Sequence, residues 1–223
     1  MNNPKANWTS DPSQPSEANI TADGEGWRTL DRLLAYDGSF AKVYHETVST
    51  PTRPDGVTWT VVRRKSAVAI AAKTVDAKWL LIRQERIPIR SAIWEFPAGQ
   101  IEFVPGDFSN LLHDTVWREL REETGYSSSA KSVLTPLGVF FPSAGFTDEH
   151  SHIFLADQLV PHADGPQHDV AESIIECRAF STAELTSMIA CGEICDANTL
   201  ATYARLVAMN LLTPMAVNTD RSP

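Results

Sequence analysis

Three cysteines among 223 residues are too few for a disulfide framework, and a reducing, cytoplasmic setting follows as the simplest expectation. Basic residues are also in short supply. Lys plus Arg number 19 against 28 Asp plus Glu, a formal net charge of −9, so the basic face of a nucleic-acid scaffold is not expected. No apolar run approaches the ~20 residues of a membrane helix, and no membrane association is expected. The first residues hold no apolar stretch behind a basic start, so no secretory leader is expected either. Helical periodicity is scarce as well. It recurs in three places, around 109–124, 181–190 and 196–211, and the rest of the ordered body is rich in strand patterns.

Residues 1–25 (Pro, Asn, Ser and Asp with little to bury) read as a disordered arm, and 213–223 as a flexible tail. Between them, 26–56 reads as an N-terminal β-subdomain and 57–212 as the main domain. Strand patterns run over 27–36, 40–48 and, as one long run, 58–71, with a turn cluster at 51–56. Shorter strands are expected at 79–82, 133–141 (Pro136 at an edge or bulge), 153–156 and 173–180. Leu112, Val116 and Leu120 give the first helix its apolar stripe, with Gly125 as its C-terminal cap. Ser181 through Glu184 form a capping box for the second helix. Asp196 caps the third, whose expected buried face is Leu200, Tyr203, Ala204, Val207 and Leu211. Separated helices among many strands imply an α+β domain with a mixed sheet.

Chemistry concentrates at Arg118-Glu119-Leu120-Arg121-Glu122-Glu123-Thr124-Gly125-Tyr126. On a helix Glu119, Glu122 and Glu123 share one side, and like charges that close repel. A hard divalent cation with oxygen ligands would offset that repulsion, and so would a solvated face with Arg118 and Arg121 as salt-bridge partners. Upstream stands Glu95-Phe96-Pro97-Ala98-Gly99-Gln100-Ile101-Glu102, a strand and loop leading to the helix.

Together these segments resemble the Nudix box, G-x5-E-x7-REU-x-EE-x-GU, with Leu120 and Tyr126 in the bulky apolar places. The C-terminal half matches at every fixed position. The N-terminal half carries five extra residues between Gly99 and Arg118, which form the stretch 103–107 and leave Asp107 as the nearest counterpart of the first glutamate. The resemblance extends over about 59–206. Gln84-Glu85-Arg86 followed by 94–99 is similar to a segment of the ADP-ribose pyrophosphatases. So are 143–149, where Ala144 replaces the usual proline, and 192–199.

This resemblance implies a Nudix-type α/β/α sandwich with a mixed sheet and an N-terminal antiparallel β-extension. It implies hydrolysis of the pyrophosphate of ADP-ribose or a related ADP-sugar by metal-activated water, with Mg²⁺ or Mn²⁺ as cofactor. Glu119, Glu122, Glu123 and the Ala98 carbonyl become the metal ligands, and Arg118 orients a carboxylate of its own helix. Trp59, Arg64, Arg86 and Glu95 become substrate-binding candidates, each with an ordinary surface or core role as its alternative. Glu172 is the candidate general base beside Glu122, with Glu149 and Glu176 as competitors. A homodimer through the N-terminal strands is implied, with Trp59 or Trp27 stacking on adenine. The alternatives are a UDP- or GDP-sugar pyrophosphatase and a catalytically silent nucleotide sensor. His150 and His152, two apart along a strand, read as structural histidines.

Overall fold

The computed structural model describes residues 23–102, 108–167 and 173–214. Three strands, β1 (Arg28–Asp37), β2 (Lys42–Thr50) and β3 (Arg53–Arg63), form an antiparallel sheet at the N-terminal end. Eight further strands form a second, mixed sheet: β4 (Ala67–Thr74), β5 (Trp79–Arg86), β6 (Ser91–Glu95), β7 (Ala98–Gln100), β8 (Tyr126–Ser127), β9 (Val133–Phe140), β10 (Ser151–Pro161) and β11 (Ile174–Phe180). Its path runs β11-β5-β4-β10-β8, with β6 against β5, β7 against β4 and β9 against β10. The β4–β10 pair is parallel and makes the sheet mixed, as expected.

Helices cover both faces. Helix α1 (Phe108–Glu119) and the residue that follows it lay Leu112, Val116 and Leu120 on a cluster with Val68, Ile70, Ala72 and Phe154. Helices α2 (Thr182–Cys191) and α3 (Ala197–Ala208) cover the other face, where Leu185, Met188 and Leu206 pack on Ala71, Leu81, Ile153 and Leu155. Alternation along β4 and β10 sends odd and even residues into the two cores. No described helix is long and apolar enough to cross a membrane.

Three local expectations require correction. The run 58–71 is two strands, broken at 64–66, because the chain leaves one sheet there and enters the other. The turn cluster at 51–56 shrinks to Pro51–Thr52, and β3 starts at Arg53, with register shifted between Val48 and Thr50. Leu200 and Leu211 are exposed, at 36% and 39%, and Ala204 is exposed as well. The buried stripe of α3 is instead Thr199, Thr202 and Leu206, flanked by half-buried Tyr203 and Val207. Both expected N-terminal caps are present: Ser181 and Glu184 exchange capping-box bonds, and Asp196 accepts from the Thr199 amide (2.8 Å). Pro136 lies on β9, which among the described residues pairs only with β10 and slips register there, so its missing N–H is tolerated.

Candidate active site

The acidic helix ends in a wider turn. After α1 the chain makes a π-helical turn over Leu120–Thr124, where the Thr124 hydroxyl donates back to the Leu120 carbonyl. Such turns widen a helix and re-aim its side chains, often at functional sites. Gly125 ends the turn at φ 71°, its N–H returned to the Arg121 carbonyl. A side chain there would also collide with Pro166, so glycine is required twice over.

Of the trio, Glu119 and Glu123 are buried at 2% and 1% exposure, while Glu122 stays half-exposed. Arg118 donates to Glu119 (2.6 Å) and to Glu122 (2.9 Å), and so supplies positive charge between two of the three. Glu123 accepts the Ala98 amide N–H at 3.0 Å. Ala98 itself belongs to β7, opposite Ala69. Gly99 lies so close beneath Glu119 that a Cβ there would overlap the carboxylate. Strand β7 and the helix end therefore form one cradle.

Among the described residues no three His, Cys, Asp or Glu side chains form a ready-made cation cage. The carboxylates of Glu119, Glu122 and Glu123 are nonetheless hard oxygen donors gathered at the helix end, and this chemistry suits a hard divalent cation. Two carboxylates buried in such proximity favour positive charge nearby, and Arg118 supplies part of it at Glu119 and Glu122. The residues present fit a bound divalent ion.

Arg86, at the end of β5, makes a two-pronged ion pair with Glu95, which ends β6 and is 1% exposed. Burial pushes the Glu95 carboxyl above its usual range, against the pull of the Arg86 guanidinium. On Arg86 the order reverses: the hydrogen bonds to Glu95 raise its pKa, and Asp196 and Glu123 add their charge. The pair therefore lies in the electrostatic field of the acidic helix. The Phe96 amide between these elements donates to Thr199 (2.8 Å), tying this segment to α3.

The other candidates gather elsewhere. Trp59, 55% exposed on β3, donates its indole N–H to the Gly145 carbonyl at 2.8 Å. It lines a cavity of about 450 Å³ together with Trp27, Glu46, Arg63, Phe146 and Asp148. Trp27 and Trp59 thus share one cavity. Arg64 pairs with Glu149 (3.1 Å) and does not line that cavity, whereas its neighbour Arg63 does. Sequence reasoning missed Arg63, Glu46 and Asp148. The strict alternation of a strand, with Trp59, Val61 and Arg63 on one face, was the signal that separates Arg63 from Arg64. Glu172 and Asp107 lie outside the described residues. Gln167, the last described residue on the N-terminal side of Glu172, donates its amide to the Glu122 carbonyl (3.0 Å) and accepts from Arg121 (3.2 Å). Glu176 faces Arg83 on the neighbouring strand at 3.7 Å. Arg118 and Glu122 also line a second cavity of about 380 Å³ with Trp117, Arg121, His162 and Gln167.

Comparison with known proteins gives the family. A NUDIX domain model matches residues 63–203. An ADP-ribose pyrophosphatase of Bacillus subtilis (strain 168) is 30% identical over 172 residues, covering 77% of this chain and 88% of the relative. A methanol dehydrogenase activator of Bacillus methanolicus is 31% identical, covering 67% and 77%. An ADP-ribose pyrophosphatase of Mycobacterium tuberculosis (strain ATCC 25618 / H37Rv) is 32% identical, covering 65% and 66%. The crystal structure of an ADP compounds hydrolase shares the fold, with a TM-score of 0.65 at 18% identity over 85% of this chain and 96% of that one. With the acidic helix, its glycine cradle and this match spanning most of the main domain, the chain belongs to the NUDIX family, as a Nudix hydrolase of the ADP-ribose pyrophosphatase-like branch.

Proposed function

We propose that this chain hydrolyses the pyrophosphate bond of ADP-ribose or a related ADP-sugar, adding water across P–O–P to release AMP and the sugar phosphate. The observation that carries this reading is the acidic helix end docked on β7, with Glu123 on the Ala98 amide and Glu119 against Gly99. The names of the relatives from Bacillus subtilis and Mycobacterium tuberculosis support the choice of substrate.

Glu119, Glu122, Glu123 and the Ala98 carbonyl would hold Mg²⁺, with Mn²⁺ as a substitute. A cation held there would supply neutralisation of phosphate charge and acidification of the attacking water. Arg118 keeps Glu119 and Glu122 oriented toward a common point. Arg86, fixed by Glu95, offers a guanidinium to a phosphate oxygen, and Arg64 is assigned a similar part. Glu172 takes the proton from the attacking water. Trp59 stacks on the adenine, an interaction worth about 1–3 kcal/mol per base.

Residues 26–56 serve assembly in this reading, and 57–212 carry the chemistry. Leu33, Tyr36 and Phe40 are 62%, 61% and 81% exposed, an apolar display suited to a second copy of the chain in a homodimer. Free thiols at Cys177, Cys191 and Cys195 fit a cytoplasmic enzyme. Product analysis over ADP-, UDP- and GDP-sugars with Mg²⁺ tests the substrate. AMP and ribose 5-phosphate from ADP-ribose are expected, and UDP- or GDP-sugars turned over in preference would overturn it.

A further inference from the structure

Strand β2 buries a carboxylate. Glu46 is 3% exposed and stands opposite Trp59 in the β2–β3 register. It accepts Arg63 on both oxygens (2.9 and 3.0 Å from Nη2) and Arg32 on Oε1 at 2.8 Å. Arg63 continues outward, its Nη1 donating to Asp148 at 2.8 Å, and the other Asp148 oxygen accepts the Arg64 amide at 3.2 Å. A chain of alternating charge, Arg32–Glu46–Arg63–Asp148, therefore runs from the N-terminal sheet into loop 143–149. Burial works against the Arg63 charge, and the hydrogen bonds with Glu46 and Asp148 more than reverse it.

The same seam holds two further bonds. The Val62 amide donates to the Phe146 carbonyl (2.8 Å), and the Trp59 indole donates to Gly145. Glu46, Arg63 and Asp148 line the cavity that Trp27, Trp59 and Phe146 complete. A buried ion pair is a poor source of stability, since apolar residues would fill the same space at lower desolvation cost. What it provides is one geometry. Two carboxylates gripping a single planar guanidinium allow few alternative arrangements.

We propose that Glu46 is a positioning residue for substrate binding: it clamps Arg63 so that Asp148 and loop 143–149 are held against β3, which shapes the aromatic cavity beside Trp59. This inference rests on the reading that the cavity takes the nucleobase of the substrate. Glu46 has no place in the metal chemistry, so its loss should appear in binding and not in turnover.

The test uses the full chain with Glu46→Gln, and with Asp148→Asn, which cuts only the far link of the chain. In both variants KM for ADP-ribose should rise roughly 10-fold or more, with kcat within about 2-fold and the Mg²⁺ dependence unchanged. The double variant should raise KM little beyond either single one, because both break the same chain. Hydrogen exchange without substrate supplies an independent readout. Amides of 58–64 should exchange about 10-fold faster in both variants, with those of β4 and β5 unaltered. If the wild type hydrolyses no ADP-sugar, the substrate reading fails, and exchange alone decides on Glu46. Unchanged exchange at 58–64 overturns the proposal, as does a loss in kcat at constant KM. Should Glu46→Gln fail to fold, Asp148→Asn carries the same decision.

Discussion

Gly99 and Glu119 occupy adjoining space so closely that a Cβ on the glycine would fall inside the glutamate's carboxylate. The strand and the helix that bracket the candidate metal site are thus fitted to each other at a single atom's scale. Overpacking of this kind typically costs about 1–3 kcal/mol. Gly99→Ala should therefore displace Glu119 and lower kcat by roughly 10²-fold or more, because misplaced ligands lose what preorganisation supplies. Steady-state kinetics beside a thermal melt checks this. Full activity in a folded Gly99→Ala protein would show that the contact does not matter.

Glu172→Gln should lower kcat by roughly 10²–10⁴-fold if this residue is the general base, with substrate affinity near normal. Glu149, the competing candidate, is paired with Arg64 at 3.1 Å. A large loss in Glu149→Gln together with a small one in Glu172→Gln would move the assignment.

Removing residues 1–22 should leave dimerisation and activity intact and keeps the bonds from Thr29 to Asp23 at the sheet's entrance. Removing residues 1–56 takes β1, β2 and the first residues of β3, and should abolish both properties. Light scattering coupled to size exclusion, run beside the ADP-ribose assay, gives the outcome. A fully active monomer would contradict the assembly reading.

His152 carries a pH prediction. Burial pushes its pKa down to about 4, with the charge of His150 adding to the effect. The unfolded chain takes up a proton near the usual 6.5, which the folded chain refuses until about 4. Stability is therefore full above pH 6.5 and falls as pH drops toward 4, by about 3 kcal/mol from this group. Chemical denaturation between pH 7.5 and 4.5 measures the slope, and His152→Gln should flatten it. An equal slope in that variant would assign the acid sensitivity elsewhere.

How much of this the sequence disclosed depends on which force shaped each element. The acidic helix was plain from apolar residues four apart, while its three clustered carboxylates by themselves left a cation site and a solvated face both open. The caps at Ser181 and Asp196 were equally plain, because capping is local chemistry. The break between β3 and β4 was hidden: both strands are β-rich, and only the change of sheet at 64–66 divides them. The buried face of α3 was misjudged because threonines line it, and the Thr199 hydroxyl is spoken for by Phe96 and Asp196. Hydrophobic periodicity cannot see such a stripe. Glu46 was invisible for a similar reason, as its burial depends on two arginines brought from β1 and β3.

The trio itself is best judged by titrating Mg²⁺ against ADP-ribose hydrolysis in the wild type, Glu119→Gln and Glu123→Gln. Glutamine at 123 keeps an oxygen for the Ala98 amide, so the fold should persist while the charge is lost. Turnover in both variants should drop by at least ~10³-fold and stay low at saturating metal, and EDTA should silence the wild type reversibly. Near-normal rates in either variant under excess Mg²⁺ would remove the carboxylate trio from the chemistry.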